Sequence, residues 1–387
     1  MRVLLTSTPG AGHLGPLFPF AYALRRAGHE VLLAAPVSAQ SRVEKAGLAY
    51  LSYADPLEHH LVPHWEAARV AGPEEANDIV VRQIFGGVRA RAALSGVELA
   101  IDAWRPHVVL RESCEFAGAI AAESRQIPHV RVGVGLAQTE DYVIRTAAPM
   151  VDELRAWAGL EPDPEGRKLA ETPYFTLTPP ALEAPGGPLP ERILRFHDAA
   201  ARPHPAPDPD AQPLVYVTFG TVAASLGLFP GFYRSVIEAL AGLPVRIVMT
   251  VGDAADEAEL GSLPANVSAK RWIPQAAILA KARAMVGHGG FGTTTGALLA
   301  GVPQVVVPLF ADQPYNAARV EGLGVGLVAT PEDPSSIRTA LERVLAEPSF
   351  RRVAAQVARE SFALLPIDAV ESSLLELIAS ARERRAA

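Results

Sequence analysis

Two short stretches of the 387-residue chain carry residue types that could do chemistry. The first is TPGAGHLGP, Thr8 to Pro16, with the spacing Gly10-x-Gly12-x-x-Gly15 and a histidine, His13, inside it. That glycine spacing is the one used by dinucleotide-binding turns, but such a site also needs a carboxylate at the end of the second strand to hold the ribose hydroxyls. Here that strand ends Ala34-Ala35-Pro36. The glycines therefore read as a sharp turn with open space above it. His13 would stand at the carboxyl end of the first strand, where open α/β sheets place their ligands. A histidine that simply caps the turn is the alternative.

The second stretch is Gly287 to Asn316, GHGGFGTTTGALLAGVPQVVVPLFADQPYN. Glycines at 289, 290 and 292 clear side chains from the start of a helix read as Thr293 to Ala300. Exposed backbone N–H groups and the positive end of the helix dipole make such a start a diphosphate site. Thr293 and Thr294 add hydroxyl donors, and His288 adds a donor without permanent charge. A phosphate loop of the G-x-x-x-x-G-K-[ST] type is absent and the turn holds no lysine, which argues against nucleoside-triphosphate hydrolysis. A plain glycine-rich turn is the competing reading.

The elements that must position these residues alternate. Val3-Leu4-Leu5, then a helix through Leu17, Phe20 and Leu24 stopped by Gly28, then His29 to Ala35 make a βαβ unit and imply a parallel sheet. Further strands read as His107 to Leu110 and His129 to Val132, with the helix Phe116 to Ser124 between them. Val80, Ile84 and Val88 share one helical face from about Asp78. Asp55 to Asn77 reads as irregular. Its His59, His60 and His64 invite a metal reading, set aside for want of a strong ligand such as cysteine in favour of a pocket wall. The proline-rich AARPHPAPDPDAQP, Ala200 to Pro213, reads as an extended linker between two halves. Strands then follow at Leu214 to Thr218, Val245 to Thr250, Ala284 to Gly287 and Gln304 to Val307, and Asp368 to Ser380 closes the chain as a helix.

Totals narrow the class. The length suggests two or three domains, and 49% hydrophobic residues suffice for their cores. A net charge of −7 and a pI near 5.8 argue against a nucleic-acid surface. The single cysteine, Cys114, excludes an internal disulfide and a cysteine-rich metal site, as expected in a reducing cytoplasm. Neither a signal peptide nor a membrane span is read, so the expected location is cytoplasmic, without a membrane partner.

The second stretch, with Arg271-Trp272-Ile273-Pro274-Gln275 before it and Phe310-Ala311-Asp312-Gln313 within it, resembles the donor-binding signature of inverting nucleotide-sugar glycosyltransferases. More narrowly it is similar to the actinobacterial enzymes that decorate natural products, antibiotics among them, within the UDP-glycosyltransferase superfamily. Gly12-His13-x-x-Pro16 and the central linker extend the resemblance over the whole chain. It implies the GT-B fold, two Rossmann-like doubly wound α/β domains facing each other across a cleft. The implied boundaries are 1–199 for an acceptor-binding domain, 200–213 for the linker, 214–366 for a donor-binding domain and 367–387 for a C-terminal helix that could return to the first domain. It further implies that Trp272 stacks on the nucleobase, Ile273 reads it through backbone groups and Gln275 approaches the ribose. His288, Gly290, Gly292 and Thr293 would hold the diphosphate, with Gly220 and Thr221 facing the same phosphates. Asp312 and Gln313 would bond the sugar hydroxyls, and Trp65 and Phe85 would stack on the acceptor.

His13 resembles the family's general base. The family carries an aspartate after the strand read as His107 to Leu110, and this chain has Arg111-Glu112-Ser113-Cys114-Glu115 there. Glu112 is in the expected place but one methylene longer, Glu115 is a rival, and Arg111 could engage either. The implied reaction is inverting and metal-independent, with no cofactor beyond the nucleotide-sugar co-substrate. Its expected partners are a dTDP- or UDP-sugar donor and a small-molecule aglycone, with a homodimer left open. Relatives that use uridine diphosphate sugars carry a glutamate where this chain has Gly296, so a thymidine diphosphate deoxyhexose is the expected donor. The alternative for Gly296 is close helix packing. A GT-B nucleotide-sugar epimerase, a nicotinamide oxidoreductase and a non-catalytic sugar-nucleotide-binding partner are the competing functions.

Overall fold

A computed structural model of the chain describes residues 1–198, 212–252 and 255–386. Most of the proline-rich linker, Ala200 to Ala211, lies outside the described residues. The chain divides into two compact units. One comprises Met1–Thr178, Pro185–Asp198 and Leu365–Ala387, the other Pro179–Ala184 and Ala199–Leu364.

The first unit is built on strands β1 (Arg2–Thr6), β2 (Glu30–Pro36), β3 (Ala49–Tyr53), β4 (Val108–Glu112), β5 (His129–Val132), β6 (Tyr174–Thr176) and β7 (Ile193–His197). The second unit contributes β8 (Leu214–Thr218), β9 (Arg246–Thr250), β10 (Val267–Lys270), β11 (Ala284–Gly287), β12 (Gln304–Val306) and β13 (Gly326–Val328), and the short β14 (Leu365–Pro366) returns to the first. The sheet orders are β14-β7-β6-β5-β4-β1-β2-β3 and β10-β9-β8-β11-β12-β13. Each described strand pair is parallel. Continuous apolar runs such as Val3-Leu4-Leu5 and Val215 to Val217 are buried on both faces, as parallel strands between helix layers must be.

In the first unit β1 lies between β2 and β4, with Thr6 paired to Ala34 and to Arg111. The carboxyl ends of β1 and β4 therefore stand side by side. The C-terminal helix, Val370–Ala386, packs here: Val370, Leu374, Leu377 and Ile378 join Val3, Leu5, Phe20 and Phe196 in one core. In the second unit Pro179–Ala184, expected from the sequence in the first half, packs on the helix Gln313–Leu323. Arg319 donates to the carbonyls of Leu182 at 2.9 Å and Glu183 at 2.7 Å.

Two local readings are corrected. Residues 55–77 are mostly helical, as Glu58–Val70 and the start of Pro73–Ile79. Neither helix buries a residue, so neither leaves an apolar period in the sequence. After them Val80–Arg89 winds as a π-helix, and its buried positions are Val81, Ile84, Gly86 and Gly87 in place of the expected Val80, Ile84 and Val88. The wider turn shifts the face. A Cβ on Gly86 would lie 3.1 Å from the Cβ of Ala147, so the glycine admits the helix Glu140–Trp157. Among the described residues no helix is long and apolar enough to cross a membrane.

Candidate active site

β1 ends at Thr6, and Ser7-Thr8-Pro9-Gly10 leads into a single helical turn, Ala11–Leu14. His13 thus stands on a helical turn and not in an open loop. Its N–H and that of Leu14 both donate to the Gly10 carbonyl at 3.0 Å. The three glycines have unequal roles. A Cβ on Gly10 would lie 2.9 Å from Cδ2 of His13, whereas one on Gly12 or Gly15 would meet nothing within 4 Å. Gly10 makes room for the imidazole, and the other two leave the space beyond it open.

β4 runs further than its sequence suggests and ends in Glu112, which is fully buried. Glu112 Oε1 lies 3.1 Å from His13 Nδ1, off the direction of a linear N–H bond. The carboxylate is fixed from three other sides. Oε1 accepts from the Thr8 hydroxyl at 2.9 Å and the Thr8 amide at 3.3 Å, and Oε2 accepts from the Cys114 amide at 2.7 Å. Burial by itself would raise this carboxyl, but the His13 ring and the Cys114 and Thr8 donors outweigh it and hold the group below its ordinary range. Glu112 is thereby kept as an anion beside the imidazole.

Glu115 faces elsewhere. Its carboxylate accepts from the Thr6 hydroxyl and from the Gly118 amide at 2.9 and 3.0 Å. Burial pushes it up to about 7, against the Thr6 bond and the Arg111 charge. Arg111 bonds neither carboxylate among the described residues. Its Nη1 donates to the main-chain carbonyls of Glu112 at 3.3 Å, Ser113 at 3.0 Å and Glu115 at 3.3 Å. The structure therefore brings Glu112 to His13, leaves Glu115 in the wall of the adjoining pocket bonded to Thr6 and Gly118, and keeps Arg111 in the scaffold. Thr8 and Cys114, to which the sequence assigns no part here, complete the hold on Glu112.

His13, Glu112 and Cys114 have potential ligand atoms within 4.8 Å of one another, the one such group among the described residues. Both oxygens of Glu112 already take donors from the protein, so the arrangement serves the imidazole as it stands. His59 and His60 meet edge to face with their ring centroids 4.2 Å apart and are not members of this group.

Beside the pair lies a pocket whose wall includes Thr8 and Cys114, the two residues that hold Glu112. Phe85 lines it and sets its ring 5.0 Å from the His13 ring, tilted by 48°. Trp65, on the helix Glu58–Val70, is 41% exposed and is not part of this wall. Of the two aromatic residues expected against an acceptor, the fold places Phe85 by the pocket and leaves Trp65 outside it.

The second constellation lies in the other unit. β11 delivers His288-Gly289-Gly290, and the helix starts at Phe291, two residues before its expected start, and runs to Leu299. Thr293 and Thr294 both donate to the Gly290 carbonyl, at 3.0 and 2.9 Å, which leaves the amides of Phe291 and Gly292 without an intrahelical acceptor. Gly289 has φ +84°, and a Cβ there would lie 2.8 Å from Val306. Gly220 and Gly290 flank the His288 ring: a Cβ on either would come within 2.8 Å and 2.3 Å of it, respectively. Burial lowers His288 to about 4, opposed by its bond to the Thr218 backbone, so the ring is neutral near pH 7. Thr293 is half-buried at the helix start and Thr221 is exposed. Thr294 departs from its expected role as a donor. It is 1% exposed with its hydroxyl enclosed, so it faces the interior.

Trp272 is 65% exposed, which removes the reading of it as a core residue, while Ile273 packs on the core below. Gln275 lies across the helix start and donates to the Gly292 carbonyl at 3.3 Å. Asp312 is exposed and occupies the N-cap position of Gln313–Leu323 without a side-chain cap bond. Asn316, given no role from the sequence, joins the two loops by donating to Asp312 Oδ2 at 2.8 Å and to the Gly289 carbonyl at 2.9 Å. Gln313 is only 2% exposed, and its Oε1 accepts from the amides of Leu309 at 2.8 Å and Phe310 at 3.0 Å. Any contact of Gln313 with a sugar falls to its NH₂ group.

Comparison with known proteins agrees over nearly the whole length. The N-terminal domain of the erythromycin biosynthesis protein CIII-like family matches residues 22–153, and its C-terminal domain matches residues 234–377. The chain is 33% identical over 369 residues to L-demethylnoviosyl transferase of Streptomyces niveus, covering 93% of this chain and 94% of that protein. It is 30% identical over 404 residues to 10-deoxymethynolide desosaminyltransferase of Streptomyces venezuelae, covering 94% and 93% respectively. Among solved structures, the glycosyltransferase VinC in complex with dTDP superimposes with a TM-score of 0.78 at 26% identity, over 98% of this chain and 100% of that one.

Proposed function

Because the chain belongs to the erythromycin biosynthesis protein CIII-like glycosyltransferases of natural-product biosynthesis and has their GT-B fold, we propose that it transfers a sugar from a nucleoside diphosphate to an aglycone hydroxyl with inversion. One observation carries the mechanism: His13 stands beside a pocket with Glu112 at its Nδ1. A carboxylate on Nδ1 leaves Nε2 to take a proton. An acceptor hydroxyl is a weak nucleophile near neutral pH, so His13 Nε2 removes its proton as the oxygen attacks the anomeric carbon. Glu112 orients the ring and stabilises its cation. The bond to the diphosphate breaks as the new bond forms on the opposite face, which inverts the anomeric centre.

The leaving diphosphate takes its donors from the helix start. The amides of Phe291 and Gly292, the Thr293 hydroxyl and the neutral His288 ring stabilise the charge that builds there. With these donors the step proceeds without a metal. Gly220 and Thr221 face the same group, Trp272 stacks on the base above Ile273, Gln275 meets the ribose, and Asp312 with the NH₂ of Gln313 meets the sugar. We further propose a thymidine diphosphate deoxysugar as donor. Gly296 supplies no carboxylate for a ribose 2′-hydroxyl, and the site loses a reason to prefer ribose over deoxyribose.

Release of nucleoside diphosphate from dTDP- and UDP-sugars, with and without a panel of polyketide and aromatic acceptors, tests the reaction. The anomeric coupling constant of the product tests inversion. Acceptor-dependent release is expected. Release that no acceptor alters, or a product that retains the donor's configuration, would overturn the proposal.

A further inference from the structure

The pocket beside His13 holds one cation that the mechanism above does not use. Arg89 ends the π-helix Val80–Arg89, four residues beyond Phe85, and lines the pocket. It is half-buried, and its Nε is closed off from solvent with no hydrogen-bond partner among the described residues. Asp55, Tyr53 and Glu112 act on it only through their charge, and each is engaged elsewhere. Asp55 accepts from the Ser38 amide at 2.8 Å and the Ser38 hydroxyl at 2.5 Å, Tyr53 donates to the Ser7 carbonyl at 3.0 Å, and Glu112 is held by Thr8 and Cys114. The rest of the wall is mostly apolar, with Pro9, Pro36, Pro56, Ala93 and Phe116, and its polar members are bonded elsewhere: Thr8 donates to Glu112, Tyr53 to the Ser7 carbonyl, and Glu115 accepts from Thr6 and Gly118.

An Nε–H that has given up water without gaining an acceptor lacks compensation, and the planar guanidinium that carries it is shaped for two oxygens of one anion. We propose that Arg89 is a recognition residue for an anionic oxygen group, a carboxylate or an acidic phenol or enol, on an otherwise apolar ring acceptor. The inference rests on the assignment of this pocket to the acceptor. Phe85 packs on the His13 ring and Arg89 follows on the same helix, so the anionic group lies about one helical turn along the wall from the hydroxyl that receives the sugar.

Calorimetric titration with 6-hydroxy-2-naphthoate and with its methyl ester, against the native protein, Arg89→Gln and Arg89→Lys, tests this. The acid is expected to bind the native protein at least tenfold tighter than the ester. In Arg89→Gln the two should bind within about twofold, and Arg89→Lys should restore part of the preference. Unchanged affinity for thymidine diphosphate, whose proposed site is in the other unit, and an unchanged melting temperature show that the variants are folded. Absent binding of the acid, equal binding of acid and ester by the native protein, or a preference that survives in Arg89→Gln overturns the proposal. Sugar transfer is scored separately. An acid that binds through Arg89 while no acceptor is glycosylated sinks the transfer reading and leaves the subsite standing, whereas transfer without any Arg89-dependent preference sinks the subsite alone.

Discussion

A Cβ on Gly296 would lie 2.4 Å from Nε2 of Gln275, so the glycine and the glutamine share one space beside the helix start. Gly296 thus leaves that space to the amide end of Gln275 and gives the site no carboxylate. Gly296→Glu should push the flexible end of Gln275 aside and return a charged acceptor to the ribose. A hydrogen bond to a charged group is worth about 1.5–3 kcal/mol. Affinity for uridine diphosphate relative to thymidine diphosphate should therefore rise by about tenfold or more, measured by calorimetry. A native preference for the uridine compound would sink the thymidine assignment.

Replacing His13 by Ala should leave thymidine diphosphate affinity nearly intact and lower turnover by roughly 10²–10⁴. Glu112→Gln should cost less, because the ring stays in place and only its anionic partner is lost. Glu115→Gln should cost least, since Glu115 bonds Thr6 and Gly118 and not His13. Steady-state rates with one acceptor across the three variants give the order.

The opening glycines should separate in the same assay. Gly10→Ala puts a methyl group 2.9 Å from Cδ2 of His13 and should shift the ring and reduce turnover. Gly12→Ala meets nothing within 4 Å and lies in the helical turn Ala11–Leu14, so its stability should be unchanged or raised by up to about 1 kcal/mol.

Glu115 and His288 should give opposite pH dependences of stability. Glu115 is raised from 4.5 to about 7, so over that window the folded protein keeps a proton the unfolded chain has lost, and stability falls as pH rises. His288 is lowered from 6.5 to about 4, so over that window the unfolded chain binds a proton the folded one refuses, and stability falls as pH falls. Glu115→Gln should flatten the first slope and leave the second. A tenfold difference in proton affinity between the folded and unfolded states corresponds to about 1.4 kcal/mol, which chemical denaturation at stepped pH resolves.

Trp272→Ala should leave the melting temperature unchanged, because the ring is 65% exposed. Thymidine diphosphate affinity should fall by about 1–3 kcal/mol, the usual worth of one base–aromatic stack. Native affinity in this variant would remove Trp272 from the nucleotide site.

What the sequence determined by itself is local and apolar. Val3-Leu4-Leu5 and Val215 to Val217 are continuous hydrophobic runs, and a buried parallel strand is what such a run can become. Glycine beside histidine at a strand end, at 10–13 and at 287–290, marks a turn where a side chain needs backbone clearance, and the clearance is there in both units. The helices Glu58–Val70 and Pro73–Ile79 were illegible because they bury nothing, and the π-wound Val80–Arg89 shifted its buried face because the apolar period assumed an α-turn. The choice between Glu112 and Glu115 belonged to tertiary structure alone. Both carboxylates follow the same strand in the sequence, and the pairing of Thr6 with Arg111 set Glu112 at the strand end while Thr6 and Gly118 took Glu115. The same is true of Arg89. Nothing in its neighbours along the chain marks it, and its isolation arises only where the fold sets it in a mostly apolar wall and directs the nearby polar groups, Glu112, Glu115, Asp55 and Tyr53, to other partners.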